Sequence, residues 1–114
     1  MATSTDSPVD LPASIAAYFT ADGADAGRVA GCFTENGVVV DERREHRGRP
    51  AIARWKTEAA ATYHSISEPL SVDVAGADVS VIARVTGQFP GSPIELRYRF
   101  TLEDDKIARL EIAA

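Results

Sequence analysis

The chain has 114 residues, a length that fits one domain with a core needing no disulfide staples. Its formal charge of −5 disfavours a general nucleic-acid binder, and no apolar run nears the roughly 20 residues that span a bilayer. The single cysteine, Cys32, rules out an internal disulfide, and the two histidines, His46 and His64, form no metal-ligand motif.

Residues Met1 to Pro8 are small and polar. They lack the basic and apolar regions of a secretory signal, so a cytoplasmic location is the default expectation. They read as part of a flexible tail over residues 1–10, ahead of one domain over 11–114. Asp10-Leu11-Pro12 reads as a helix start, with Asp10 as cap and proline in the first turn. Ile15, Tyr18, Phe19 and Asp22 then share one helical face, and the helix is expected to end near Gly23. Asp25 caps a short second helix carrying Val29, Cys32 and Phe33 on one side. Glu35-Asn36-Gly37 reads as a stop and turn, Val38 to Arg43 as a short strand, and Arg44 to Arg49 as a charged turn.

Pro50 suits the first residue of a third helix, in which Ile52, Trp55, Ala59 and Tyr63 repeat at helical spacing. That helix fades near His64-Ser65. Ile66, Leu70, Val72 and Val74 alternate with polar residues and predict a strand. The segment from Asp78 to Leu102 predicts a long antiparallel hairpin. Val79, Val81, Ala83 and Val85 line one face of its first arm; Ile94, Leu96, Tyr98, Phe100 and Leu102 line one face of its second. Phe89-Pro90-Gly91-Ser92-Pro93 joins the arms, because proline has no N–H for a ladder. Lys106 to Ile112 makes a final strand with Ala108, Leu110 and Ile112 on one side. The order is helix, helix, short strand, helix, four strands. Helices on one face of a mainly antiparallel sheet make an α+β fold.

The wet face of that sheet carries Arg84, Arg97, Arg99 and Arg109 with Asp73, Glu95 and Glu111. It reads either as a solvated, salt-bridged surface or as a polar homodimer interface, arginine being enriched at interfaces.

Four stretches resemble the nuclear transport factor 2-like superfamily, in particular its SnoaL-like and ketosteroid-isomerase-like members. They are Ile15 to Phe19 with Asp25 and Ala30 to Phe33; Gly37 to Asp41; His46 to Trp55; and Leu96 to Phe100 with Lys106 to Leu110. The resemblance implies a cone-shaped barrel in which a curved sheet wraps three helices around a deep, mostly apolar pocket. It also implies dimers through the outer sheet face. Asp41 matches the general-base aspartate of ketosteroid-isomerase-like members, and Tyr18 matches their oxyanion-donating tyrosine. The second acid donor falls at Leu96, an apolar departure that argues against ketosteroid isomerase activity itself.

The residues admit two readings of each candidate. Asp41 ends an apolar strand: inside an oily cavity it would be a desolvated base, and at the surface a partner of Arg43 or Arg44. Tyr18 and Tyr98 lie on apolar faces, where a hydroxyl finds either a ligand or a protein partner. Trp55 and Tyr63 line the cavity mouth or belong to the core. Phe33 and Leu96 complete the expected lining. His46 reads as exposed, His64 as a helix cap, and Cys32 as a small buried hydrophobe. Arg43, Arg44, Arg47 and Arg49 either guide an acidic ligand or form a solvated turn. No glycine-rich phosphate loop or serine elbow is present, and no cofactor is expected. Two functions follow: an acid–base isomerase, cyclase or hydratase acting on a small hydrophobic carbonyl compound, or a non-catalytic ligand-binding or dimeric interaction module.

Overall fold

The computed structural model describes residues 10–22 and 25–114. The expected tail falls largely on residues 1–9, and the expected helix end at Gly23 also lies outside the described residues. Helix α1 spans Ala13–Ala21 and α2 spans Ala26–Gly31. Asp25 caps α2 as expected, accepting a hydrogen bond from the Arg28 backbone N–H at 3.1 Å. Asp10 does not cap α1: Pro12 holds the cap position, and its carbonyl accepts from Ala16 N–H at 2.9 Å.

Strand β1 runs Phe33–Asp41, so Phe33 begins a strand rather than lying on α2. Glu35-Asn36-Gly37 is no turn. It is an irregularity within β1, where the register against the neighbouring strand shifts between Phe33 and Val38. Gly37 makes this fold-back possible, since a Cβ there would lie 2.9 Å from the Phe33 Cβ. The charged segment after β1 is also a strand: β2, Arg44–Arg47, pairs antiparallel with Val38 to Asp41. Its side chains are mostly exposed because it forms the sheet edge, where charge prevents further pairing.

Helix α3 spans Arg49–Tyr63 with Pro50 in its first turn. Strands β3 (Ile66–Ala75), β4 (Asp78–Thr86), β5 (Ile94–Glu103) and β6 (Lys106–Ala113) follow. The six strands form one sheet in the order β2-β1-β6-β5-β4-β3, antiparallel throughout except for the parallel pair β1 and β6. With the helices gathered on its inner face, the fold is α+β, as the periodicities predict.

The core joins both layers. Ile15 and Tyr18 from α1, Val29 from α2 and Ile52 from α3 pack with Val39, Val81, Phe100 and Leu110 of the sheet. An aromatic group ties α1 to β5, with Tyr18 edge-on to Phe19, Phe33, Tyr98 and Phe100 at centroid distances of 5.1–6.4 Å. Among the described residues no helix is long and apolar enough to cross a membrane.

Strand β3 departs from simple alternation. A bulge between Pro69 and Ser71 inserts one residue against β4. Past it, Val72 pairs with inward Val81; before it, Ser67 pairs with inward Val85. The parity therefore flips. Ser67 turns inward while Ile66, expected on the apolar face, is 73% exposed.

Candidate functional site

Alternation along β1 aims Asp41 inward. Val39, two residues earlier, is fully buried, and Asp41 shares its face at the strand end. There it borders a cavity of about 270 Å³, near the small end of ligand pockets at roughly 300–1,000 Å³. The surface alternative does not hold. Instead of an arginine partner, the carboxylate accepts a hydrogen bond from Trp55 Nε1–H at 3.0 Å. Burial raises its pKa above the usual carboxylate range. The Trp55 hydrogen bond opposes that shift, neighbouring Glu42 adds to it, and Lys56 and His46 oppose it.

Trp55, Tyr63, Leu96 and Tyr98 all line the same cavity. Trp55 is nearly buried on α3 and faces β1. Tyr63 closes one side of the mouth, and its hydroxyl donates to Glu42 Oε2 at 2.8 Å. Tyr98 is buried and shares a 3.2 Å hydrogen bond with Ser67 Oγ. Burial above all, moderated by that bond, pushes its phenol up to about 12. Gly87 lets the end of β4 close against α3: a Cβ there would lie 2.7 Å from the Tyr63 carbonyl oxygen.

Tyr18 and Phe33 lie behind the wall rather than in it. Phe33, opening β1, is fully buried beneath α1. Tyr18 is also fully buried, and its hydroxyl has no hydrogen-bond partner among the described residues. Burial holds that phenol well above its usual pKa, with the charges of Asp22 and Asp41 contributing. The structure thus brings Asp41 together with Trp55, Tyr63, Leu96 and Tyr98, and sets Tyr18 and Phe33 one layer deeper.

Among the wall residues the sequence reading did not name as such are Lys56, Ser67 and Phe89. Lys56 projects into the cavity wall and forms an ion pair with Asp22; both side chains are nearly buried. Its ammonium lies 4.6 Å from the Trp55 ring centroid. The spacing Ile52, Trp55, Lys56, Ala59 already places it on the inward face of α3. Ser67 is reached only through the β3 bulge. Phe89 comes from the β4–β5 connection and meets the Tyr63 ring edge-on at 6.0 Å.

His46 is half-buried, not exposed. It pairs with Val39 across β1 and β2, and its ring lies 5.9 Å from that of Trp55. His64 is exposed and adopts a left-handed conformation at the end of α3. Cys32 is buried, donates weakly to the Arg28 carbonyl at 3.3 Å, and has its thiol pKa raised by burial. Arg49 is drawn from the arginine run, donating through Nε and Nη2 to the Phe33 carbonyl at 3.1 and 2.9 Å.

A sheet packed on three helices, with a mostly apolar cavity between the sheet and α3 and a desolvated carboxylate in its wall, defines a small α+β pocket protein. A polyketide cyclase candidate from Sinorhizobium meliloti is 43% identical in sequence with a TM-score of 0.87; the alignment covers 90% of this chain and 95% of that one. A protein of ketosteroid isomerase-like fold from Catenulispora acidiphila, in complex with trimethylamine, is 19% identical with a TM-score of 0.82, over 92% and 87% of the two chains. A cystatin-fold protein from Novosphingobium aromaticivorans is 19% identical with a TM-score of 0.76, over 90% and 96%. No family model and no curated protein sequence matches the chain. The chain belongs to the nuclear transport factor 2-like superfamily.

Proposed function

We propose that the protein is an acid–base enzyme acting on a small, mostly apolar carbonyl compound, with Asp41 as general base. The observation that carries this is the setting of Asp41: inward-facing, desolvated, and held by one N–H donor at the wall of an apolar cavity. A carboxylate raised towards neutrality accepts a proton from carbon and returns it more readily than an exposed one, an effect worth roughly 10²–10⁴-fold. Trp55 fixes the Asp41 side chain without protonating it. Tyr18, the donor the sequence suggested, lies one layer behind the cavity wall, so a ligand oxygen in the cavity meets the donors of the wall instead.

The cavity volume suits a compound of one or two rings. The 43% identical polyketide cyclase candidate supports an aromatic or polyketide-like carbonyl substrate. One observation favours a second reading, a ligand-binding module: Leu96 presents an alkyl side chain to the cavity where a second acid donor would sit.

The test uses Trp55, the only tryptophan. Its emission is followed while cyclic unsaturated ketones and hydroxynaphthoquinones are titrated into parent protein and Asp41→Asn, with turnover measured on whatever binds. Saturable binding with turnover lost in Asp41→Asn supports the enzyme. Binding with no turnover in the parent selects the binding module.

A further inference from the structure

We propose that Lys56 is the electrophilic partner of Asp41, its ammonium donating a hydrogen bond to the oxygen anion that forms as Asp41 takes a proton from the substrate. The inference rests on the acid–base reading above and adds the residue that would compensate for Leu96.

Lysine is almost never fully buried unless paired, yet the Lys56 side chain is only 12% exposed, and its partner Asp22 only 5%. The pair spans from the end of α1 to the middle of α3. Core packing does not require it, because exchanging a buried ion pair for apolar side chains of similar volume is often neutral or stabilising. An ammonium has three N–H donors, and Asp22 is its one hydrogen-bond acceptor among the described residues. The ammonium also lies over the Trp55 ring, and its distance to the Tyr18 ring centroid is 5.7 Å.

The placement separates acid from base. Lys56 and Asp41 border the same cavity, but no ion pair joins them. Trp55 occupies Asp41 and Asp22 occupies Lys56, so neither is neutralised by the other. A carbonyl compound between them meets a proton acceptor on one side and a fixed cation on the other. In the step, a C–H bond beside the carbonyl breaks and the proton goes to an Asp41 oxygen. The electron pair moves onto the carbonyl oxygen, where Lys56 donates a hydrogen bond and keeps its own proton. Asp41 then returns the proton to a different carbon, so no oxidant, reductant or further reactant is needed.

The probe is 4-nitrophenol, whose yellow phenolate mimics that oxygen anion. It is titrated at fixed pH near its own midpoint into the parent, Asp41→Asn, Lys56→Met and Lys56→Arg. Asparagine stands in for the protonated base. Phenolate affinity is expected to rise in Asp41→Asn, to fall roughly ten- to hundredfold in Lys56→Met, and to be largely retained in Lys56→Arg. The double variant Lys56→Met/Asp22→Leu leaves no buried charge unpaired and should show the same loss, separating the effect from misfolding. Unchanged phenolate affinity in that double variant, or no phenolate binding to the parent, overturns the proposal. Loss in Lys56→Met with no tightening in Asp41→Asn upholds Lys56 and removes Asp41 as its partner.

Discussion

Asp41 and Tyr18 carry opposite consequences of burial. The Asp41 carboxyl is held above the usual range by desolvation, whereas in the unfolded chain it titrates near the ordinary aspartate value of about 3.9. The folded state therefore holds that proton more tightly, and stability is lost as pH rises from the unfolded value through the raised folded one. Asparagine removes this penalty and still offers Trp55 an oxygen acceptor. Asp41→Asn should melt higher than the parent at neutral pH, the gain vanishing in acid below about pH 4, while turnover falls roughly 10²–10⁴-fold. Differential scanning calorimetry across pH, beside an activity assay, checks both halves. For Tyr18, deleting a buried hydroxyl that has no protein partner should cost nothing. Tyr18→Phe is expected to be neutral or up to about 2 kcal/mol more stable by denaturant unfolding. Asp41 was legible because a charge ending a run of valines is conspicuous. Lys56 was not, although helical spacing puts it beside Trp55 on the inward face; a lone lysine reads as solvent-facing until its partner Asp22 is seen across the helix pair.

At the scale of elements, the sequence showed the helices and the long hairpin but not the strand edges. Strand β2 has no apolar alternation, since its outward side chains are charged and its pairing is carried by backbone groups alone. Parity arguments failed on β3 at a single residue, because a bulge preserves the hydrophobic count while exchanging the faces; Pro69, in mid-strand, was its signal. The β1–β2 turn holds two strained residues next to the site. Glu42 and Arg43 both adopt positive φ, 53° and 66°, a two-residue turn that favours Asn-Gly. Glu42 is anchored by Tyr63, but Arg43 is exposed and makes no hydrogen bond or ion pair with another described residue. Arg43→Gly should therefore stabilise the protein by about 1 kcal/mol in chemical denaturation, leaving ligand affinity unchanged.

Across the whole molecule, the exposed sheet face combines Arg84, Arg97, Arg99 and Arg109 with acidic neighbours. Arg84 reaches Glu68 at 3.3 Å and Arg109 reaches Glu111 at 3.8 Å, while Arg99 stands opposite Glu111 in register. Such exposed pairs contribute little to a monomer. We propose the face as a homodimer interface. The protein should sediment as a dimer at tens of micromolar and dissociate more readily in high salt, because screening weakens charge pairing across the contact; a monomer at low salt would remove the proposal.

The parallel pairing of β1 with β6 sets the order in which the molecule can come into being. Every other ladder joins strands close in sequence, whereas β1 must wait for the strand that follows all the rest. On the ribosome, the first hairpin and the three helices emerge with one sheet edge unsatisfied, and Ile107 and Leu110, both fully buried in the finished core, are still to come. Loop closure across most of the chain then becomes the late, slow event. A chain stopped at Asp105 should fail to show a cooperative thermal transition, and ribosome-bound intermediates should recruit chaperones until β6 clears the exit tunnel. The pocket thus forms only once β6 has joined the sheet, since its wall includes Ile112 of that strand.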